Sequence, residues 1–187
     1  MESLRDILEV VEANKQLYQI AKGRNSIERY ISDKYNLEYA IINCNEVPAK
    51  EPHKKGAFSS LNLDIADLAG LMLAGDGKRI KERVASAIAN GNYHIFVVKG
   101  EVPEEYYGFL AVHEYVELVN RGNHGKATEE EFKEVAKKGE EFLKAYSKWY
   151  LDYNSELLEV LNPARLEVLR KLLPEITMRM LEEKICL

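Results

Sequence analysis

The stretch YHIFVV at residues 93–98, followed by a helical segment that opens at Pro103 and runs to about Asn120, decides the fold of this chain. The stretch is apolar on both of its faces, which is typical of a strand in the interior of a sheet. A second run of β-forming residues, YAIIN at 39–43, predicts a shorter strand over 38–43. The sequence therefore predicts a small sheet that contains these two strands.

Most of the remaining chain has apolar residues spaced three and four apart, which predicts helices. Thr128 and Glu131 form a capping-box pattern at the start of a long helix, and Pro163 and Pro174 each mark the first turn of a further helix. The segment 45–60 lacks this spacing and is predicted to be a long loop. Helices are predicted over 3–22, 26–35, 64–73, 76–91, 103–120 and from 128 to about 153. We therefore expect a predominantly helical α+β protein with 1–187 as a single domain, in which 128–187 is a candidate helical subdomain.

Composition excludes several classes of protein. The 187 residues carry 26 Lys and Arg against 31 Asp and Glu, a net charge of −5 that disfavours binding to nucleic acid or to an anionic membrane. Two cysteines are too few for a disulfide framework, and the chain shows neither a secretory signal nor an apolar run long enough to span a membrane, so a cytoplasmic location is expected. The 25 glutamates and 17 lysines, set against two glutamines, are typical of a protein from a thermophile.

The helix after the strand carries the pattern His-Glu-x-x-Glu in an apolar frame. His113 and Glu117 differ by 40° around a helix and by about 6 Å along it, so both side chains can reach one ion. They also interrupt the apolar stripe of the helix, and a carboxylate buried there without a partner costs several kcal/mol. Three interpretations follow: a metal site, a buried pair of His113 with Glu117, or placement of both residues on the surface.

These residues resemble the active helix of the zincin metallopeptidases, which carries His-Glu-x-x-His after a strand of a small sheet. The resemblance covers about 30 residues and implies that His113 is a zinc ligand and that Glu114 is the general base. Glu117 occupies the position of the second histidine ligand, which departs from the family motif, although glutamate also binds zinc. The third ligand implied is His124, eleven residues after His113. Glutamates on the next helix are the alternatives, namely Glu134, Glu140 and Glu141.

The sequence thus predicts a zincin-like, metal-dependent hydrolase that cleaves a peptide or amide bond with metal-activated water. Its cofactor would be zinc, and its partner a peptide or small-molecule substrate whose identity the sequence does not specify. The alternative is a non-catalytic helical interaction protein in which His113 and Glu117 form a buried pair. No pattern in the sequence predicts the oligomeric state.

Overall fold

A computed structural model describes residues 4–23, 27–47, 56–63, 65–100, 102–154 and 163–185. The strands are β1 (Ile27–Ile31), β2 (Asn36–Asn43), β3 (Ala57–Leu61) and β4 (Tyr93–Lys99). The α-helices are α1 (Leu4–Gly23), α2 (Ile65–Leu73), α3 (Gly77–Ala89), α4 (Tyr107–Val119), α5 (His124–Ala136), α6 (Glu140–Tyr153), α7 (Pro163–Leu172) and α8 (Glu175–Ile185). The predicted class, a largely helical α+β fold with a small sheet, is confirmed.

The sheet has the strand order β1-β2-β4-β3. β2 runs parallel to β4, whereas β1 pairs antiparallel with β2 and β3 pairs antiparallel with β4. The strand predicted over 93–98 is therefore an interior strand, as its apolar character on both faces indicates.

Side chains alternate across β4 and build a core on each face of the sheet. Ile95 and Val97 face a large core formed with α4, α5, α6 and α8. Phe96 and Val98 face a second core that includes Leu17 of α1. All four β4 side chains are buried, so this strand fixes the position of the helices on both faces.

Two predictions about the N-terminal half are wrong. The helix predicted over 26–35 is instead the strand β1 and a turn, in which the Ser32 hydroxyl accepts hydrogen bonds from the backbone N–H groups of Lys34 and Tyr35 at 3.3 and 3.1 Å. This turn returns the chain into β2, and ladder pairing outweighs the weak helical spacing of the segment. In the loop predicted over 45–60, residues 57–60 belong to β3, which pairs with β4 more than thirty residues away in the sequence, and residues 48–55 lie outside the described residues.

The long helix predicted from residue 128 consists of two helices, α5 and α6, and α5 begins four residues earlier than predicted, at His124. Asn123 caps α5 by accepting a hydrogen bond from the backbone N–H of Lys126 at 3.0 Å, so Thr128 lies inside the helix. Gly139 has a φ of 101°, a conformation that favours glycine, and it separates α5 from α6. Glu131 consequently lies in the second turn of α5 and not in a capping box.

The other predicted helices are confirmed to within a few residues, including α3, whose Asp76 side chain accepts from the backbone N–H of Arg79 at 3.1 Å. Pro163 opens α7, and Pro174 immediately precedes α8. Within the described ranges, every helix is too short or too polar to cross a membrane.

Candidate metal centre

Helix α4 carries His113 into the protein because its apolar face packs on the sheet and on α5. Phe109, Val112 and Val116 are buried on this helix, and His113 between them is only 7% exposed. The surface placement considered for His113 is therefore excluded. Glu117, one turn further along α4, is about one-third exposed, so it lies at the border between the core and solvent.

The turn between α4 and α5 brings His124 back over His113. The backbone N–H of Gly122 donates to the carbonyl of Glu117 at 2.9 Å, and that of Arg121 donates to the carbonyl of Leu118 at 3.3 Å. These two bonds form a Schellman motif, which reverses the chain directly after a helix. His124 then opens α5, with its side chain 68% exposed.

The three predicted ligands form a compact cluster. His113 Nε2 lies 3.0 Å from His124 Nδ1 and 3.5 Å from a Glu117 carboxylate oxygen, and that oxygen lies 3.2 Å from His124 Nδ1. In a tetrahedral zinc site with bonds of about 2.0–2.1 Å, neighbouring ligand atoms are about 3.3 Å apart. The three separations lie within about 0.3 Å of that edge, so the three atoms could occupy three corners of a zinc tetrahedron, although two of the contacts are also hydrogen bonds.

Behind the cluster, a buried carboxylate fixes the orientation of His113. A Glu131 carboxylate oxygen lies 2.6 Å from His113 Nδ1, and its other oxygen accepts a hydrogen bond from the Tyr146 hydroxyl. Glu131 is 1% exposed. The hydrogen bond to Glu131 places a proton on Nδ1, so Nε2, the ring atom that faces His124 and Glu117, is a ligand atom when the ring is neutral. A carboxylate behind a ligating histidine is the usual outer partner of a metal site.

Burial and Glu131 act in opposite directions on the protonation of His113. Burial disfavours the imidazolium, but the hydrogen bond and negative charge of Glu131 outweigh it and raise the pKa of His113 above 6.5. Burial, followed by the charge of Glu131, holds the pKa of Tyr146 well above 10, so its hydroxyl remains a donor. In the absence of metal, His113 and Glu131 therefore form a buried, hydrogen-bonded pair.

A cavity of about 560 Å³ opens beside the cluster. His113, Glu114, Glu117 and His124 line it together, so the proposed general base and the three candidate ligands face one space. Much of the remaining wall is aromatic or aliphatic and comes from β3, α3, α4 and the end of α6, with Phe58, Val84, Leu110, Leu118, Trp149 and Tyr153 among its residues. A polar cluster in a mostly apolar cavity is typical of a ligand site.

The structure also shows where the alternative third ligands lie. Glu134 is buried and bonded to Tyr30 and Lys137, at 3.0 and 2.7 Å. Glu140 and Glu141 are exposed and pair with Lys144. None of these three glutamates belongs to the cluster, and His124 does.

Glu131 is the site residue that sequence reasoning missed. Its capping-box pattern with Thr128 pointed to a helix start. The available signal was the same one that identified Glu117, because Glu131 lies on the apolar stripe that includes Phe132 and Val135. A glutamate in such a stripe needs a partner, and His113 is that partner.

The centre is thus assembled by two consecutive helices and the turn that joins them, with a third helix contributing Tyr146. Comparison of the chain with protein-family models, with curated proteins and with solved structures finds no match.

Proposed function

We propose that the protein is a metal-dependent hydrolase in which His113, Glu117 and His124 hold one zinc ion. The observation that supports this most strongly is the set of three separations between the ligand atoms, 3.0, 3.2 and 3.5 Å, which correspond to the edges of a zinc tetrahedron. Two neutral imidazoles and one carboxylate form a common ligand set for catalytic zinc. When bound, zinc supplies a Lewis acid and lowers the pKa of a water molecule to near 7.

In this proposal Glu131 is a positioning residue. By accepting a hydrogen bond from the Nδ1–H group of His113, it keeps Nε2 available as a ligand atom and prevents rotation of the ring. Tyr146 holds the second oxygen of Glu131 in turn, so the ring orientation depends on a chain of two buried hydrogen bonds.

Glu114 is the proposed general base. It follows His113 on α4, projects about 100° away from it around the helix, and lines the same cavity. Glu114 accepts a proton from the attacking water and returns it to the leaving nitrogen. The C–N bond of the amide breaks, the water oxygen bonds to the carbonyl carbon, and the amine leaves with the added proton. The apolar walls of the cavity limit the number of other water molecules near the scissile bond.

The zincin resemblance remains part of the proposal, with Glu117 in place of the second histidine. A zinc ion held by one carboxylate and two imidazoles carries a net charge of +1, one unit less than with three imidazoles, and is a weaker Lewis acid. The proposal also includes the location and the substrate class expected from the sequence. The protein is cytoplasmic, and its substrate is a peptide or small amide and not a nucleic acid or a membrane.

The competing candidate is a non-catalytic protein in which His113 takes part in a buried pair. The pair that the structure supports is His113 with Glu131, at 2.6 Å, since Glu117 lies 3.5 Å away. This pair satisfies both buried groups without metal. Hydrogen bonds link the ring to the other two residues as well, since His113 Nε2 lies 3.0 Å from His124 Nδ1, which lies 3.2 Å from a Glu117 carboxylate oxygen. Zinc content is therefore the measurement that separates the two candidates.

Zinc content and hydrolysis, measured on two variants, test the proposal. Wild type should retain close to one zinc per chain after loading and desalting. Glu114→Gln should retain that zinc and lose hydrolysis of a casein-derived peptide mixture, whereas Glu117→Ala should lose both. Less than about a tenth of an equivalent of zinc in the wild type would leave the non-catalytic alternative. Loss of zinc from Glu114→Gln would show that Glu114 is a ligand and not the base.

A further inference from the structure

The turn that carries His124 contains an arginine where the backbone favours glycine. Arg121 has a φ of 60°, and among the described residues it is the one non-glycine residue with a positive φ. Its place in the Schellman motif is the position that glycine usually takes. A non-glycine residue held in this region is uncommon, and such residues cluster at functional sites. The positive φ therefore marks Arg121 as a candidate functional residue.

Arg121 also lines the cavity beside the candidate metal centre. It is the one residue with a permanent positive charge among the described residues that line this cavity. Arg121 is exposed, and among the described residues its guanidinium makes no ion pair or side-chain hydrogen bond. A guanidinium presents a rigid fork of donors that matches a carboxylate.

Part of the cavity wall is aromatic. Trp149 and Tyr153 of α6 stack with ring centroids 5.2 Å apart, and Phe58 of β3 lines the same space. Aromatic walls of this kind bury an apolar side chain of a ligand. The cavity therefore combines a cation, the metal centre and an apolar wall.

We infer that the substrate is an amide that carries a free carboxylate and an apolar side chain next to the scissile bond, and that Arg121 determines specificity by binding the carboxylate. Short peptides cleaved at their C-terminal residue and N-acyl amino acids both have this chemistry. The inference rests on the proposed hydrolase, although the binding it predicts is measurable without catalysis.

Fluorescence of Trp149, the single tryptophan of the chain, provides the binding assay because this residue lines the cavity. The probes are N-acetyl-L-leucine, its C-terminal amide and N-acetylglycine, titrated into the metal-free protein and into zinc-loaded Glu114→Gln, which should bind them without hydrolysis. N-acetyl-L-leucine should bind at least about tenfold more tightly than the amide, which lacks the charge, and than N-acetylglycine, which lacks the side chain.

Arg121→Met should abolish the preference for the acid over the amide and keep the preference for leucine over glycine. Arg121→Gly should do the same while relieving the positive φ, so a general loss of folding is not the cause of either effect. The matched control is Arg179→Met, because Arg179 is exposed on α8 and does not line this cavity. This control should retain both preferences.

In the catalytic arm, the tripeptide Ala-Ala-Leu should be cleaved with a kcat/KM at least about tenfold higher than its C-terminal amide, and Arg121→Met should remove the difference. Three results would overturn the inference even if zinc is retained. They are equal binding of the acid and the amide, binding of neither, and a preference for the acid that survives in Arg121→Met. Selective binding by protein that retains no zinc would support the ligand class and refute the hydrolase, so the two failures are distinguishable.

Discussion

Replacing Glu131 by glutamine should weaken zinc binding about tenfold while leaving the fold intact. The carboxylate accepts a hydrogen bond from His113 Nδ1 at 2.6 Å and another from the Tyr146 hydroxyl. Glutamine has the same shape and keeps one acceptor oxygen for His113, while its amide group can donate to the Tyr146 oxygen. The variant loses the charge on the acceptor. Hydrogen bonds to charged groups contribute about 1.5–3 kcal/mol and neutral ones about 0.5–1.5 kcal/mol. The midpoints of these two ranges differ by about 1.25 kcal/mol, which is roughly tenfold in affinity.

Zinc affinity is measured by competition with a chromophoric chelator at alkaline pH, where protonation of His113 no longer competes with the metal. The matched control is Glu134→Gln, since Glu134 lies on the same helix, is 2% exposed and bonds Tyr30 and Lys137 away from the cluster. This control removes the same charge and should keep wild-type zinc affinity. Unchanged affinity in Glu131→Gln, or an equal loss in both variants, would refute the positioning role of Glu131.

Three further predictions concern stability. Ion pairing of Glu130 with Lys34 lowers its pKa from 4.5 to about 2. A carboxyl group whose pKa is lower in the folded than in the unfolded state stabilises the fold at pH values above its unfolded pKa. The contribution of Glu130 should therefore be lost as pH falls from about 4.5 to 2. Lys34→Met should flatten the pH dependence of urea unfolding in that range. Gly108→Ala should destabilise the protein by about 1–3 kcal/mol, because the added methyl group would overlap the Tyr30 ring, and an unchanged urea midpoint would contradict the packing of β1 on α4. Arg121→Gly should raise Tm by about 1–2 °C in calorimetry. Relief of the positive φ stabilises the folded state by about 1 kcal/mol, which exceeds the cost of about 0.5 kcal/mol from the added entropy of the unfolded chain. A lower Tm would show that this backbone is not strained.

Local patterns in the sequence predicted the elements that carry their own signal. The apolar run of β4 and the spacing of α4 are sufficient to place a buried strand next to the helix that carries His113. The prediction of a helix over 26–35 was wrong because β1 is an edge strand whose conformation depends on pairing with β2. β3 was missed for a similar reason, since its pairing with β4 is a long-range contact.

At the candidate site, the residues on one helix were predictable and their partners were less so. His113, Glu114 and Glu117 follow from helical spacing. The position of His124 depends on the turn geometry at Arg121 and Gly122, which spacing alone does not specify. Glu131 depends on where α5 begins, and the capping residue Asn123 sets that start four residues before the position predicted from Thr128.

The most direct test of the account is X-ray absorption spectroscopy at the zinc edge of the zinc-loaded, desalted protein. The account predicts one zinc per chain with a first shell of nitrogen and oxygen atoms at about 2.0–2.1 Å and the outer-shell scattering of two imidazoles. Glu117→Ala should lose this signal. A zinc–sulfur shell at about 2.3 Å, or no zinc retained after desalting, would contradict the assignment of His113, Glu117 and His124 as the ligands.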